Sequence, residues 1–404
     1  MLIKGIMKGI DFAIVPSLRR TACIVISSML LISSIAAQEE QELTKEEKKE
    51  EKKAMMRDTL DGKLDFSRFL IEAHGFIPIP LIITEPAVGG FGLAIIPVFI
   101  TAPKSQFKHS RTPPDITGAI GMYTANDSWL LGGFRFASIP NWSMKYRVAL
   151  GYANLNLSFY RDVPTEQDKE FEFNFVSTPV LLSLSKQITK EEVFFGLQYV
   201  YQKSDIKPRF SESLPPQITD KELVSKTATL SAFLDWDLRD NTFTPDHGTI
   251  VRLQYGVNDE WTASDYKYER LDGNLNWFFQ VKERWTSGLR IEVQQAFQSP
   301  PFYLLPYINL RGVPTVRYQG QTTALIETEQ RFDLNLRWSA VGFVGYGKAI
   351  EKDESFSDAS SVFNIGGGFR YLIARAFKVR TGIDIAFGPD SWGYYIVFGH
   401  NWNR

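Results

Sequence analysis

From residue 76 onward, hydrophobic and polar positions alternate with a period of two. The sharpest case is 324–338. Ala324, Ile326, Phe332, Leu334, Leu336 and Trp338 share one face, and Glu327, Glu329, Arg331, Asp333, Asn335 and Arg337 the other. In 249–257, Thr249, Val251, Leu253, Tyr255 and Val257 oppose Ile250, Arg252, Gln254 and Gly256. In 289–297, Leu289, Ile291, Val293 and Phe297 oppose Arg290, Glu292 and Gln294. Side chains alternate across a strand, so each segment has two unlike faces. A soluble β-sandwich shows the same alternation, and strand length separates the two. Soluble strands run about 5–6 residues, whereas a tilted membrane strand needs about 9–11. Many segments here reach ten or more, and no large helix interrupts them.

Sixteen strands are predicted, near 77–84, 90–100, 116–125, 128–138, 143–157, 169–186, 191–204, 223–238, 248–258, 265–281, 284–297, 322–338, 340–349, 361–373, 377–387 and 392–402. An even count suits a single-chain barrel. The joins alternate too. Those at 139–142, 187–190, 282–283 and 374–376 are short, and those at 158–168, 205–222, 298–321 and 350–360 are longer and rich in Pro, Ser and charge. The join at 101–115 breaks this order. The fold class is therefore all-β, a transmembrane antiparallel β-barrel over 76–404.

The N-terminus adds an address. Lys4, Lys8, Arg19 and Arg20 precede an apolar run from Ala22 to Ile35, then Ser33, Ser34, Ala36 and Ala37. This is the order of a secretory signal over 1–37; the run is short for a membrane span. The single cysteine, Cys23, lies inside it, which removes disulfide frameworks and zinc clusters together. Residues 38–63 begin as a nearly continuous charged run and read as a flexible leader. Residues 64–75 space Leu64, Phe66, Phe69, Leu70 and Ala73 as a short amphipathic, periplasmic helix would.

Charge and composition exclude classes. The chain has 404 residues, with 45 Lys and Arg against 46 Asp and Glu, so it lacks the basic excess of a nucleic-acid binder. An enzyme would need an activated nucleophile or a carboxylate–histidine pair. His74, His109, His247 and His400 are the four histidines, and none sits beside a nucleophile motif. His400 falls on the outward face of the last strand with Tyr394, Ile396 and Phe398. No metal-ligand spacing or phosphate loop is present, so neither a metal nor a cofactor is expected.

Three stretches resemble one family. LRGVPTVRYQGQTTALIETEQRF (310–332) looks like the sixth outer loop and twelfth strand of the outer-membrane-protein-85 superfamily, the bacterial surface antigens that include BamA- and TamA-type insertases and two-partner secretion pores. The family's Arg-Gly-aromatic signature reads Arg311-Gly312-Val313 here. DWDLRDNTFTPDHGT (235–249) resembles the turn before the ninth strand, and ITEPAVGGFGLA (83–94) the first hairpin of a small class lacking accessory domains. About 40 residues separate signal from barrel, too few for the POTRA domains of insertases. The family often has an Asp on the thirteenth strand facing the loop arginine; GFVGYGKA (342–349) holds Gly345 there.

The resemblance implies a sixth outer loop folded into the lumen. A guanidinium there needs a carboxylate. Glu329 is the expected partner of Arg311, with Glu327 the alternative, and the lock is either a gate or a structural latch. Asp237, Arg239 and Asp240 read as a periplasmic-rim network, with Pro245 and Gly248 shaping the turn. Tyr394, Ile396, Phe398 and Trp402 resemble a C-terminal assembly signal, with Asn403 and Arg404 beyond it. The implied place is the bacterial outer membrane. The implied partners are its lipids and lipopolysaccharide, the barrel assembly machinery, and a separate periplasmic or lipoprotein subunit. The implied role is assisting protein or lipid insertion or translocation. A scaffold barrel presenting 158–168 and 205–222 to a partner is the competing expectation.

Overall fold

The computed structural model describes residues 53–68, 76–101, 107, 113–163, 166–211 and 213–402. The expected signal (1–37), most of the leader, His74, His109 and Asn403 lie outside these residues, as do 69–75 of the expected helix.

Sixteen strands form one antiparallel sheet in strict sequence order. They are β1 (Phe76–Ile83), β2 (Gly92–Thr101), β3 (Asp115–Thr124), β4 (Trp129–Ile139), β5 (Met144–Val163), β6 (Glu166–Gln187), β7 (Val193–Pro208), β8 (Val224–Asp237), β9 (Gly248–Asn258), β10 (Tyr268–Lys282), β11 (Trp285–Gln298), β12 (Thr322–Asp333), β13 (Trp338–Ile350), β14 (Ser360–Ala374), β15 (Val379–Phe387) and β16 (Trp392–Phe398). Every consecutive pair is hydrogen-bonded, and β1 and β16 are the two free ends of the sheet. The sheet is a nearly closed barrel with one seam.

The alternation read from the sequence sets the two faces. Leu93, Ile95, Leu131, Leu150, Leu197 and Ile365 point outward, each about half exposed or more. A soluble monomer does not carry so continuous an apolar band, whereas lipid requires it. The polar face turns into the lumen, where Arg290, Glu327, Asn364, Arg370 and Asp384 are almost wholly buried.

Most strand ends lie within a few residues of the expected ones, and four departures change the picture. Strand 322–338 stops at Asp333, because Asn335 Oδ1 accepts from the amides of Arg337 and Trp338, both at 2.9 Å, and bends the chain. The 158–168 join is not a loop. β5 and β6 run through it as one long hairpin with a register shift between Arg161 and Val163. Its Phe159, Phe171, Phe173 and Phe175 pack with Ile206, Ile218, Phe302 and Val316 into an aromatic core across the long-loop end of the barrel. The 205–222 join carries a short helix at Asp220–Leu223, closed by a Thr219–Glu222 capping box. The last strand ends at Phe398 rather than 402.

The leader also needs correction at its end. Residues 56–65 are folded rather than flexible: Arg57 bridges Leu64, Asp58 N donates to Lys63 O at 2.9 Å, and Gly62 N donates back to Asp58 O at 2.9 Å.

Candidate functional site: the loop lock in the lumen

The loop between β11 and β12 enters the lumen as a narrow hairpin. Tyr307 bridges Gln319, Ile308 N donates to Tyr318 O at 2.9 Å, and Gly320 N donates to Pro306 O at 3.1 Å. At its tip Gly312 has φ +83°, which glycine adopts without strain. The tip presses on β15: a Cβ at Gly312 would lie 2.9 Å from backbone carbons of Ala386 and Phe387. Ile308, Leu310 and Val313 pack with Leu325, Ala349 and Val362. Val313 thus fills the place of the family's aromatic as an apolar anchor. Burying three such side chains contributes roughly 5–9 kcal/mol before entropy.

Arg311 is the polar anchor. Its Nη2 donates to Glu327 Oε1 at 2.9 Å and its Nε to the same oxygen at 3.3 Å, while Nη1 donates to both Glu329 Oε2 and Asp384 Oδ2 at 2.7 Å. The guanidinium also lies 3.4 Å from the Phe343 ring centroid. Both carboxylates expected from the sequence therefore reach Arg311. The third, Asp384 on β15, was missed. It is the one acid in VRTGIDIAF, and its flanking Ile383 and Ile385 face lipid, so alternation alone points it inward.

Further groups tie this centre to the wall. Arg370 binds Asp384 through two bonds, at 2.5 and 2.9 Å. Arg290 pairs with Glu292 and reaches Glu327 at 3.3 Å, and it donates to Asn309 O at 3.1 Å. Three arginines thus sit among four carboxylates, close to the balance that buried charge requires. The loop backbone is held as well. Asn364 Nδ2 donates to Arg311 O at 2.9 Å, Gly312 N to the Tyr395 hydroxyl at 2.8 Å, and Ser391 Oγ to Gly312 O at 2.6 Å. Gly345 is where the loop needs room: a Cβ there would lie 2.6 Å from Asn364 Oδ1 and 2.9 Å from Leu310 Cδ2. The carboxylate absent from β13 is supplied from β15.

Two terminal residues stand elsewhere than expected. Trp402 and His400 do not share the outward face of Tyr394, Ile396 and Phe398. Gly399, at φ +78°, turns the chain inward, and both side chains are buried in the lumen. Trp402 Nε1 donates to Glu327 Oε2 at 2.7 Å, and His400 stacks edge-on against Phe278.

The short-turn rim carries two more networks. Asp237 binds Arg239 through both oxygens, at 2.8 and 2.7 Å, and Arg239 Nη1 lies 3.2 Å from His400 Nε2. Asp240 Oδ1 accepts from the amides of Asp246 and His247 at 2.9 and 3.1 Å, and Lys378 bridges Asp240 and Asp246 at 3.0 and 2.7 Å. Arg331 donates to Pro245 O at 3.4 Å and also binds Asp246, and Gly248 opens β9. The second network is the folded turn at 56–65. Asp61 and Asp65 each accept from Arg337 at 2.7 Å, and Asp58 binds both Arg337 and Arg375. Arg375 and then the Leu60 amide hold the Asp58 carboxyl well below the usual range. Arg337 lowers Asp61 as well. Burial pushes Asp65 up, but hydrogen bonds from Ser67 and Arg337 outweigh it, leaving a net lowering.

Comparison with known proteins agrees with this geometry. The Omp85 superfamily domain matches residues 127–304. The crystal structure of BamA from Haemophilus ducreyi lacking POTRA domains 1–3 superposes with a TM-score of 0.53 at 10% identity, covering 87% of this chain and 81% of that one. CdiB from Escherichia coli gives 0.55 at 10% identity, covering 80% of this chain and 62% of that one. CdiB from Acinetobacter baumannii gives 0.54 at 10% identity, with 80% and 58% covered. Among curated proteins, Bud site selection protein 4 of Kluyveromyces lactis is 22% identical over 232 residues. That match spans 56% of this chain but only 17% of that protein, too small a part to carry its activity across. Residues 127–304 match the Omp85 superfamily domain, and the sixteen-stranded barrel with its apolar outer face has the fold of BamA and CdiB, so the chain is a bacterial outer-membrane β-barrel similar to the Omp85 type.

Proposed function

We propose that this barrel assists insertion or translocation of protein or lipid at the outer membrane, working through its side rather than along its axis, with a separate periplasmic or lipoprotein subunit presenting the client. The observation that carries this reading is the seam: β1 and β16 close no ladder with each other. Within hydrocarbon an unpaired strand edge has no water to bond, so a seam of this kind favours exchange of partners. The axial route is unfavourable. The aromatic core around Phe159, Phe173 and Phe302 lies across the outer mouth, and the Arg311 loop fills the lumen beneath it.

In this reading Arg311, Gly312, Glu327 and Glu329 keep the loop docked against β12, β15 and β16, on the wall that runs up to the seam. The rim turn of Asp237, Arg239, Asp240, Pro245 and Gly248 braces the inturned C-terminus through His400. The same loop and aromatic core inside the barrel favour a second reading, a scaffold barrel that presents its outer loops. The two part on one assay. The protein is reconstituted into vesicles, and protease protection of an added urea-unfolded small barrel is followed against empty vesicles. Faster protection supports the insertion reading, and equal rates support the scaffold.

A further inference from the structure

The lipid-facing surface of β6, β7 and β8 changes chemistry at one level. On β8 the outward positions, counted from the short-turn end, are Trp236, Leu234, Ala232, Leu230 and Ala228, and the next is Lys226. On β7 they are Phe195, Leu197, Tyr199 and Tyr201, and the next is Lys203. On β6, Leu184, Leu182 and Val180 lead to Thr178. The inward neighbours agree with this parity, since Ser204, Ser225 and Thr227 are buried. The register sets the three changes side by side: Lys203 stands directly opposite Lys226 on one flank and Thr178 on the other. Trp236 and Lys226 are ten positions apart on one strand. Ten positions span about 33 Å along a strand, or about 25 Å along the membrane normal at a tilt of about 40°. That is the full height of the apolar band, so the two lysines stand where the acyl chains of the outer leaflet end.

Two ammonium groups directly across a ladder repel. Among the described residues, neither Lys203 nor Lys226 has an ion pair. Two acids stand near them in sequence or register, but Asp265 Oδ2 accepts from the Lys226 amide, at 2.7 Å, and Asp205 lies opposite Val224. The pair thus asks for an anion from outside the chain. Its surroundings say what the rest of that anion is. Below lies the apolar wall. Beside it, Tyr199 donates to Thr262 O at 2.8 Å and Thr262 Oγ1 to Ala228 O at 2.7 Å, which holds the Glu260–Thr262 turn on β8 and leaves Trp261 exposed, a ring suited to the interface. Above, the outward face is wholly polar. Asn174, opposite Lys207, donates to Asn154 Oδ1 and Asn156 Oδ1 at 2.5 and 2.8 Å, and Arg209 pairs with Glu172 at 3.0 Å.

We propose that Lys203 and Lys226, with the Thr178 hydroxyl beside them, bind a phosphate of lipopolysaccharide in the outer leaflet. Rising along this wall, the surface is apolar, then cationic, then rich in amides and charge. The lipid has the same order: acyl chains, phosphorylated glucosamines, then sugars. Its acyl chains lie along Leu182, Leu197 and Leu230, its phosphate relieves the repulsion of the two ammonium groups, and its sugars meet the asparagines. A phospholipid supplies the phosphate without the sugars. The site is independent of whether the barrel inserts clients or acts as a scaffold.

The test uses the full chain, delipidated in detergent, titrated with bisphosphorylated lipid A and read by native mass spectrometry. K203Q/K226Q should weaken binding about thirtyfold, the worth of two lysines at an anionic membrane surface. K203R/K226R keeps both charges and should bind like the parent. K282Q, at the short-turn end of β10, should leave binding unchanged. Lipid A stripped of its phosphates should bind the parent and K203Q/K226Q alike. Heat-modifiability on gels should match the parent in every variant, because both lysines are exposed. An excess of phosphatidylglycerol should leave lipid A bound to the parent. Equal lipid A affinity in the parent and K203Q/K226Q would overturn the proposal. Displacement by phosphatidylglycerol would overturn it too, by making the lysines a general contact for anionic lipid.

Discussion

Arg311→Ala removes a side chain that touches three lumen carboxylates, Glu327, Glu329 and Asp384. The guanidinium is 2% exposed, Glu327 1% and Asp384 0%, so the interactions are nearly free of solvent screening. Deleting one partner of a buried ion pair costs about 3–5 kcal/mol. Two of the three acids keep other partners: Glu327 retains Arg290 and the Trp402 indole, and Asp384 retains the fork of Arg370. Glu329, at 13% exposure, is the most solvated of the three and relaxes toward water. The lower end, about 3 kcal/mol, is therefore expected, with about 1 kcal/mol more from the stack on Phe343. At about 1.4 kcal/mol per decade this lowers the docked-to-undocked ratio of the loop by two to three decades. Trypsin cleavage after Arg317 in nanodisc-held protein reads the undocked fraction, and heat-modifiability on gels reads barrel stability. Arg311→Lys should recover less than half of the loss, because an ammonium cannot span three acids in fixed directions. In a double-mutant cycle, Arg311→Ala with Glu327→Gln should show the larger coupling and Arg311→Ala with Glu329→Gln the smaller. Coupling below about 0.5 kcal/mol for both pairs, the scatter of independent sites, would refute the lock.

Other outcomes follow from the same geometry. Gly345→Ala should loosen the loop much as Arg311→Ala does, since its Cβ meets Asn364 and Leu310; unchanged trypsin resistance would show that the wall yields instead. Trp402→Phe keeps the ring but removes the bond to Glu327, and should cost about 1–2 kcal/mol in thermal stability, whereas Asn403→Ala should cost little. The folded 56–65 turn should be pH-dependent in one direction only. Asp58, Asp61 and Asp65 are all held below their ordinary values, so their contribution is complete above about pH 4 and is lost as the pH falls further. Amide exchange of 56–65 should match at pH 5 and pH 8, after correction for intrinsic rates, and rise near pH 3. Release between pH 5 and pH 7 would contradict the assignment.

Much of this barrel was legible because a membrane strand writes its two environments into alternate residues. β9 was read to the residue, and the polar face of β12, with Glu327 and Glu329, turned inward as the alternation required. What stayed hidden is what period two cannot encode. Leu334 and Leu336 continue the pattern past Asp333, but a side-chain acceptor on Asn335 folds them into a turn. Tyr394 to Trp402 keep one parity, yet a single left-handed residue at Gly399 moves His400 and Trp402 from the lipid side to the lumen. Asp384, Arg290 and Arg370 lie on inward faces, but their convergence around one loop arginine depends on the curvature of the barrel, through contacts between residues 14 to 73 positions apart. The leader's charge looked like a solvated tail. Only the opposing Arg337, far along the chain, makes Asp58, Asp61 and Asp65 a folded turn.

The central claim, that clients enter through the β1–β16 seam, is tested most directly by closing it. One cysteine in β1 and one in β16, in a chain whose single native cysteine carries the change Cys23→Ser, form a reducible bridge in the reconstituted protein. Protease protection of an added urea-unfolded small barrel is then timed before and after reduction. The account predicts that bridged protein works no better than empty vesicles and that reduction restores its activity. Equal activity in the bridged and reduced forms would contradict it.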